Sequence, residues 1–417
     1  MTDDDVLSAE EADALLASTI LTDEGRQDPY PAYARLRAGG GRWTSGFGAT
    51  GLAGYEDCIA ALRNPALGRP EPDMELSDGL GGRERRQNDN EVTMLFLNPP
   101  DHTRIRGLVS RAFTPRRVEE LRPEIDALLH PVVDRLAAAG GGDVVSELAI
   151  PFPVAVISEL LGVPREGNEH IQPWVRAITA FIDPAATAEA LAEGEVAGLE
   201  LVAFFSELIE EKRRSPDDRL LSALIDVEEA GDRLSFEELM ANTLLLYAAG
   251  FETTSNLIGN GLRLFLEHPD QWERLRADRS LIGSAMWEIL RADSPVQLNN
   301  RVALGDVELF GRTWRRGDSF IVLQGSGNHD ERIYDRPEHF DIARFASGDA
   351  APPLSFGYGA HHCLGAHLAR AEGELAFGAL LDRFERIELD TAAIDGPPRY
   401  RPSFTLRGLE SLPVVCA

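Results

Sequence analysis

The chain has 417 residues, 69 of them acidic and 41 lysine or arginine, for a formal net charge of -28. A field of that sign repels the phosphate backbone of nucleic acids and the anionic face of a membrane. A hydrophobic fraction of 43% with 26% charged residues is that of a globular protein with a large core, which excludes fibrous, collagen-like and wholly disordered classes.

Residues 1–18 are acidic, poor in aromatics and without a basic partner, so they are expected to be disordered. They lack the positive start of a secretory signal. Globular sequence begins near Asp28-Pro29-Tyr30. Apolar residues at three- and four-residue spacing predict helices at Ala12 to Leu16, Tyr30 to Arg37, Arg116 to Ala138, Leu199 to Arg213, Leu281 to Arg291 and Leu364 to Phe384. Strands are predicted at Arg301 to Leu304, Val307 to Leu309, Ser319 to Val322 and Ser403 to Leu406. The expected fold class is mainly α with a small β region. No apolar run of about 18 residues marks a membrane span. Cys58, Cys363 and Cys416 are too few and too scattered for a disulfide framework, so the cytoplasm is the expected compartment.

One predicted helix stands apart. Ser235 and Glu238 form a capping-box pattern, and no proline interrupts the run until Pro269. Its middle, Leu244 to Phe251, is apolar on every face and should be buried. Glu252, Thr253, Thr254 and Ser255 then follow Gly250. A carboxylate and three hydroxyls inside a core helix cost free energy unless paired, and such a broken rule marks a candidate site. By themselves, a threonine bonding its own helix and a glutamate in a salt bridge explain the pair equally well.

A second candidate lies at Ser355-Phe356-Gly357-Tyr358-Gly359-Ala360-His361-His362-Cys363-Leu364-Gly365, just before a predicted helix. A helix N-terminus favours a thiolate, and the glycines allow backbone N–H groups to approach the sulfur. Taken alone, a cysteine after a Gly-rich turn is more often a buried, inert one. Here Phe356, Gly357, Gly359, His361, Cys363 and Gly365 together resemble the haem-ligand loop of the cytochrome P-450 family. Further segments follow in the family's order. Ala249-Gly250-x-Glu252-Thr253-Thr254 resembles its oxygen-activation segment. Glu288-x-x-Arg291 and the later Arg344 resemble its structural ion network. Asp101-His102-Thr103-Arg104-Ile105-Arg106 and Arg301 resemble the segments that hold the haem propionates. The similarity runs from about Asp28 to the last residue.

The resemblance implies a single catalytic domain over 19–417, a triangular prism with haem between the long helix and the cysteine loop. It implies haem b with Cys363 as axial thiolate, dioxygen as co-substrate, and Glu252 and Thr253 as the acid–alcohol pair for proton delivery. His102, Arg106, Arg301 and His361 would bind the propionates, with Ala249, Gly250, Phe356, Gly357 and Gly365 also at the cofactor. Glu252 stands where many relatives carry Asp. His329, within Gly325 to Asp330, stands where many bacterial relatives carry Arg, which puts a local structural contact in question. A substrate pocket would be lined by Met94, Leu95, Phe96, Trp174, Phe181, Tyr247, Ala248, Val296, Gln297, Asn299 and Phe404. Its apolar character implies a hydrophobic small molecule, by class habit a macrolide, other polyketide or terpenoid of antibiotic biosynthesis. Gln297 and Asn299 either orient a polar group or hold a loop.

With no reductase domain in this chain, electrons are expected from a ferredoxin and its reductase. Arg104, Arg106, Arg111, Arg116, Arg117 and Arg122 would offer the docking face. The alternatives are a peroxide-driven haem-thiolate oxidase and a non-catalytic haem-binding sensor.

Overall fold

The computed structural model describes residues 7–77, 92–164, 168–183, 186–229 and 234–417. It is a helical body with small sheets at its edge. A five-stranded sheet has the order β1 (Arg42–Thr44), β2 (Thr50–Leu52), β8 (Ser319–Val322), β5 (Asn299–Ala303), β3 (Leu67–Gly68). Within it β2 and β8 run parallel, with Gly51 opposite Ile321. A three-stranded sheet places β10 (Pro413–Cys416) between β4 (Gly141–Asp143) and β9 (Ile387–Leu389), and β6 (Val307–Leu309) pairs with β7 (Arg312–Trp314). Among the described residues, no helix is long and apolar enough to cross a membrane.

The long helix spans Phe236–Glu267, capped by the reciprocal Ser235 and Glu238 bonds and ended at His268 before Pro269. It is buried through most of its length and forms the axis of the main core. Gly250 lets it lie close to the Pro151–Leu161 helix, because a Cβ there would sit 2.8 Å from the Ile157 side chain. The missing side chain therefore faces a neighbouring helix, which gives Gly250 a packing role.

Two expectations are corrected. Residues from Ala9 onward are helical, over Ala9–Leu21, with a Ser8–Glu11 capping box. Ala12 and Leu16 are buried, and Asp13 accepts bonds from Trp43 Nε1 at 2.9 Å, Ser45 Oγ at 2.9 Å and the Gly46 amide at 2.8 Å. The acidic residue that suggested disorder is thus an anchor; residues 1–6 lie outside the described residues. Ser403 to Leu406 is a turn with one isolated bridge, Val296 to Leu406, and its hydroxyls bond across to Asp183 and Ile182 instead of entering a ladder.

Candidate active site

Cys363 sits two residues before the cap, Gly365, of the Ala366–Arg383 helix. The loop before it closes on itself: the Cys363 amide donates to Phe356 O at 2.8 Å, and the His362 amide to Gly359 O at 3.1 Å. Gly357 and Gly359 take φ of 64° and 71°, the left-handed region that favours glycine. Burial pushes the Cys363 thiol up from its ordinary range, while the Gly365 amide and Arg106 pull it back down. The residue is nevertheless open to solvent, so it lies recessed at the floor of a cleft.

The long helix also opens onto solvent, midway along its length. Ala249 is exposed and Thr253, one turn on, is half-buried, although Phe251 and Glu252 beside them are buried. Exposure midway along a core helix requires a cleft against that face. Thr253 Oγ1 donates to Ala249 O at 3.1 Å, and Thr254 Oγ1 to Gly250 O at 3.2 Å. The hydroxyls therefore satisfy their own helix without breaking it.

Glu252 points another way. Its Oε1 lies 2.5 Å from Arg401 Nη2, an ion pair without hydrogen-bond geometry, and Arg401 Nη2 donates to Asn256 Oδ1 at 2.7 Å. Arg176, Ser255 and Asn256 join them around a polar cavity of about 10 Å³, close to the least space a water molecule occupies. Arg401 and Arg176 were not found from sequence; both lie more than 75 positions from Glu252, and no local pattern marks either.

The groups that the resemblance assigns to the propionates converge. The rings of His102 and His361 lie 4.3 Å apart. His102 is buried, and both its ring nitrogens lack a partner. Burial, then Arg69, Arg301, His102 and Arg106, drive the His361 pKa down to about 2. Arg301 Nη1 donates to Asn299 Oδ1 and Asn300 O, each at 2.8 Å, and Arg69 Nη1 to Asn300 O at 3.2 Å. Arg69 is a member that the sequence reading missed. Arg106 Nη2 donates to His362 O at 2.6 Å, so it also braces the cysteine loop. A partnerless buried histidine amid three guanidinium groups, beside a recessed cysteine, suits an iron porphyrin with two carboxylates.

Glu288, Arg291 and Arg344 meet. Arg291 grips Glu288 through two bonds of 2.8 and 2.9 Å, and Arg344 Nε donates to Glu288 Oε2 at 3.0 Å. Arg291 also donates to Pro337 O at 2.8 Å and His339 O at 3.1 Å.

The expected pocket residues divide. Leu95, Phe96, Trp174, Phe181, Ala248 and Asn299 are half-buried, and Met94 is buried, its amide held by Asn242 Oδ1 at 3.0 Å. Tyr247 is a core residue, fully buried against Phe205 and Phe251 with its hydroxyl 3.2 Å from Ser158 Oγ. Phe404 is buried in the cluster that contains Leu298 and Leu323. Val296 bridges to Leu406, and Gln297 Nε2 donates to Ser294 O at 2.8 Å. Asn299 Nδ2 donates to Gln324 Oε1 at 3.3 Å. Gln297 and Asn299 thus hold loops.

The arginine-rich stretch is less cationic than its composition suggests. Arg104 pairs with Glu238, Arg116 and Arg117 with Glu120 at 3.0 and 3.5 Å, and Arg122 with Glu374 at 2.5 Å. Its acids and those of neighbouring helices face it; the Arg111 side chain lies outside the described residues.

A family model described as "Cytochrome P450" matches residues 82–399. "Biotin biosynthesis cytochrome P450" of Bacillus subtilis is 37% identical over 403 residues, 96% of this chain and 99% of that protein. "6-deoxyerythronolide B hydroxylase" of Saccharopolyspora erythraea is 38% identical over 370 residues, 87% of this chain and 89% of that one. The crystal structure of P450BioI with an acyl carrier protein ligated to hexadec-9Z-enoic acid superposes at a TM-score of 0.85, covering 94% of this chain and 100% of that one at 37% identity. Agreement on this scale, in both sequence and shape, leaves one assignment for the cleft above Cys363: the chain belongs to the cytochrome P-450 family of haem-thiolate monooxygenases, which use dioxygen.

Proposed function

We propose that this enzyme hydroxylates or epoxidises a hydrophobic natural product of the macrolide, polyketide or terpenoid kind, with Cys363 as axial ligand and Glu252 and Thr253 as proton relay. Relatives named 6-deoxyerythronolide B hydroxylase and polyketide biosynthesis cytochrome P450 PksS support the substrate class. The observation that carries the residue roles is the division of the long helix into an open Ala249–Thr253 face and a paired Glu252 face. When bound, haem supplies the reductive activation of dioxygen and the oxidation of the C–H or C=C bond.

The chain's own residues do the rest. His102, Arg106, Arg301 and His361, joined by Arg69, orient the two carboxylates of the cofactor. Phe356 stands against Trp287 at 5.8 Å between ring centres and shields the thiolate side from water. Thr253 Oγ1 donates to Ala249 O and keeps its lone pairs for a donor in the cleft. Glu252 takes protons from the polar cavity beside Arg401 and passes them toward that hydroxyl. A ferredoxin and its reductase supply electrons in the cytoplasm. The exposed Arg116 and Arg117 contribute to docking, and their pairing with Glu120 makes the attraction moderate.

Replacing Cys363 with Ser should abolish the thiolate–carbonyl absorption band of the reduced holoenzyme, and its survival would overturn the ligand assignment. A library of hydrophobic natural products, screened by haem spin-state shift, should then yield a ligand that is oxygenated with NAD(P)H, ferredoxin and reductase. Equal turnover with peroxide alone would favour the peroxide-driven alternative. Binding without NAD(P)H consumption would favour a sensor.

A further inference from the structure

The turn that carries Arg401 is held at both ends. At one end, Asp183 Oδ2 accepts bonds from Ser403 Oγ at 2.5 Å and the Phe404 amide at 2.8 Å, and Thr405 Oγ1 donates to Ile182 O at 2.8 Å. Ile182 and Asp183 follow the Asn168–Ile178 helix, which carries Arg176. At the other end, Arg401 holds Glu252 and Asn256 on the long helix. Between the two ends the turn is short and internally braced. The Arg401 amide donates to Gly408 O at 2.9 Å, and the Ser403 amide to Arg401 O at 2.8 Å. Gly408 permits the close approach: a Cβ there would lie 1.9 Å from Asn256 Oδ1 and 2.6 Å from Arg401 Nη2.

We propose that the 401–408 turn is a strut through which Asp183 sets the position of the Glu252 carboxylate, with Arg401 as the positioning residue. The inference rests on the assignment of Glu252 to proton delivery. The charged groups that face Glu252 are Arg401, from the turn, and Arg176, from the Asn168–Ile178 helix. Arg176 makes no ion pair of its own among the described residues, so Arg401 is the cation that fixes Glu252 on the cavity side. Displacement of the Ile182–Asp183 segment releases Ser403 and Phe404, slackens the turn and loosens Arg401. Movement at that segment is thereby read out at the proton source, with no contact between Asp183 and Glu252.

The test uses the haem-loaded full chain and needs no substrate. Amide exchange of residues 401–408, read by mass spectrometry, should accelerate about tenfold in Asp183→Ala, since two of its bonds brace that turn. For the carboxylate, basal NAD(P)H consumption with ferredoxin and reductase is followed in H2O and in D2O, and the solvent isotope effect is read. Arg401→Ala should change this isotope effect, because the carboxylate that hands on the proton is no longer held in place. Arg401→Lys should restore it in part. Asp183→Ala should change it in the same direction by less, and should add nothing when Arg401 is already Ala. Gly408→Ala, which changes no charge, should reproduce the change by pushing Arg401 from Asn256. Unchanged exchange at 401–408 in Asp183→Ala, or an equal Asp183→Ala change in both Arg401 backgrounds, overturns the strut. A Glu252→Gln variant with the wild-type isotope effect would instead overturn the role of Glu252 itself.

Discussion

His329 shows how burial sets a protonation state. Its ring is buried and stacked on Tyr30 at 4.1 Å, with Nε2 2.9 Å from Ala292 O. Burial first, then Arg291, holds its pKa down to about 3. In the unfolded chain an imidazole titrates near 6.5. Below about pH 6.5 the unfolded chain therefore binds a proton that the folded chain refuses, so stability is complete above that window and falls as the pH drops through it. The urea midpoint should decrease from pH 7 to pH 5, and less steeply in His329→Gln; equal slopes would refute this account. Thr253 is the second informative residue. Thr253→Ala should leave the haem spectrum intact while NAD(P)H consumption shifts toward peroxide release, and Thr253→Ser should restore product. These residues differ in how readable they were. Cys363 announces itself because its glycines, phenylalanine and histidine all fall within the ten residues from Phe356 to Gly365. Arg69 and Arg401 do not, because their partners come from distant segments and no local pattern encodes a meeting of that kind.

The Phe236–Glu267 helix was legible at the scale of an element, since a capping box and a proline are local signals. Ser235→Ala should cost about 1 kcal/mol in urea denaturation, with Ser235→Asp close to wild type. The sheets were far less legible. β3 has two residues and β4 contains two glycines, so neither shows an alternating pattern. Their extended shape is imposed by partners, Val302 and Ala303 for β3, and Pro413 to Val415 for β4. Ser403 to Leu406 misled in the opposite sense. Its alternating residues suit a strand, but Ser403 and Thr405 have hydroxyl partners across the cleft rim at Asp183 and Ile182. The same polarity hid the order in Ala9–Leu21, where Asp13 looks like solvent-facing charge until Trp43 and Ser45 close on it.

Across the whole molecule, the Glu288 carboxylate binds the body to its periphery. It draws together the buried Arg291, on its own helix, the half-buried Arg344 and the Asp341 amide. Glu288→Ala leaves two guanidinium groups without their anion and should cost about 3–5 kcal/mol. A drop in Tm smaller than that of the Ser235→Ala variant would contradict the network's role. The single-domain expectation from the motifs agrees with one main core that takes in residues from Met94 to Val414. The parallel pairing of β2 with β8 has a temporal consequence. β2 pairs with the adjacent β1 on one edge, but its other edge must wait for a partner about 270 residues further along the chain, which at ribosomal speed is on the order of tens of seconds. The helices between them can collapse on local contacts in that interval. The full sheet is thus the late step of folding, and the β8-facing edge of β2 spends synthesis open to a chaperone, or another nascent chain, that can reach it first.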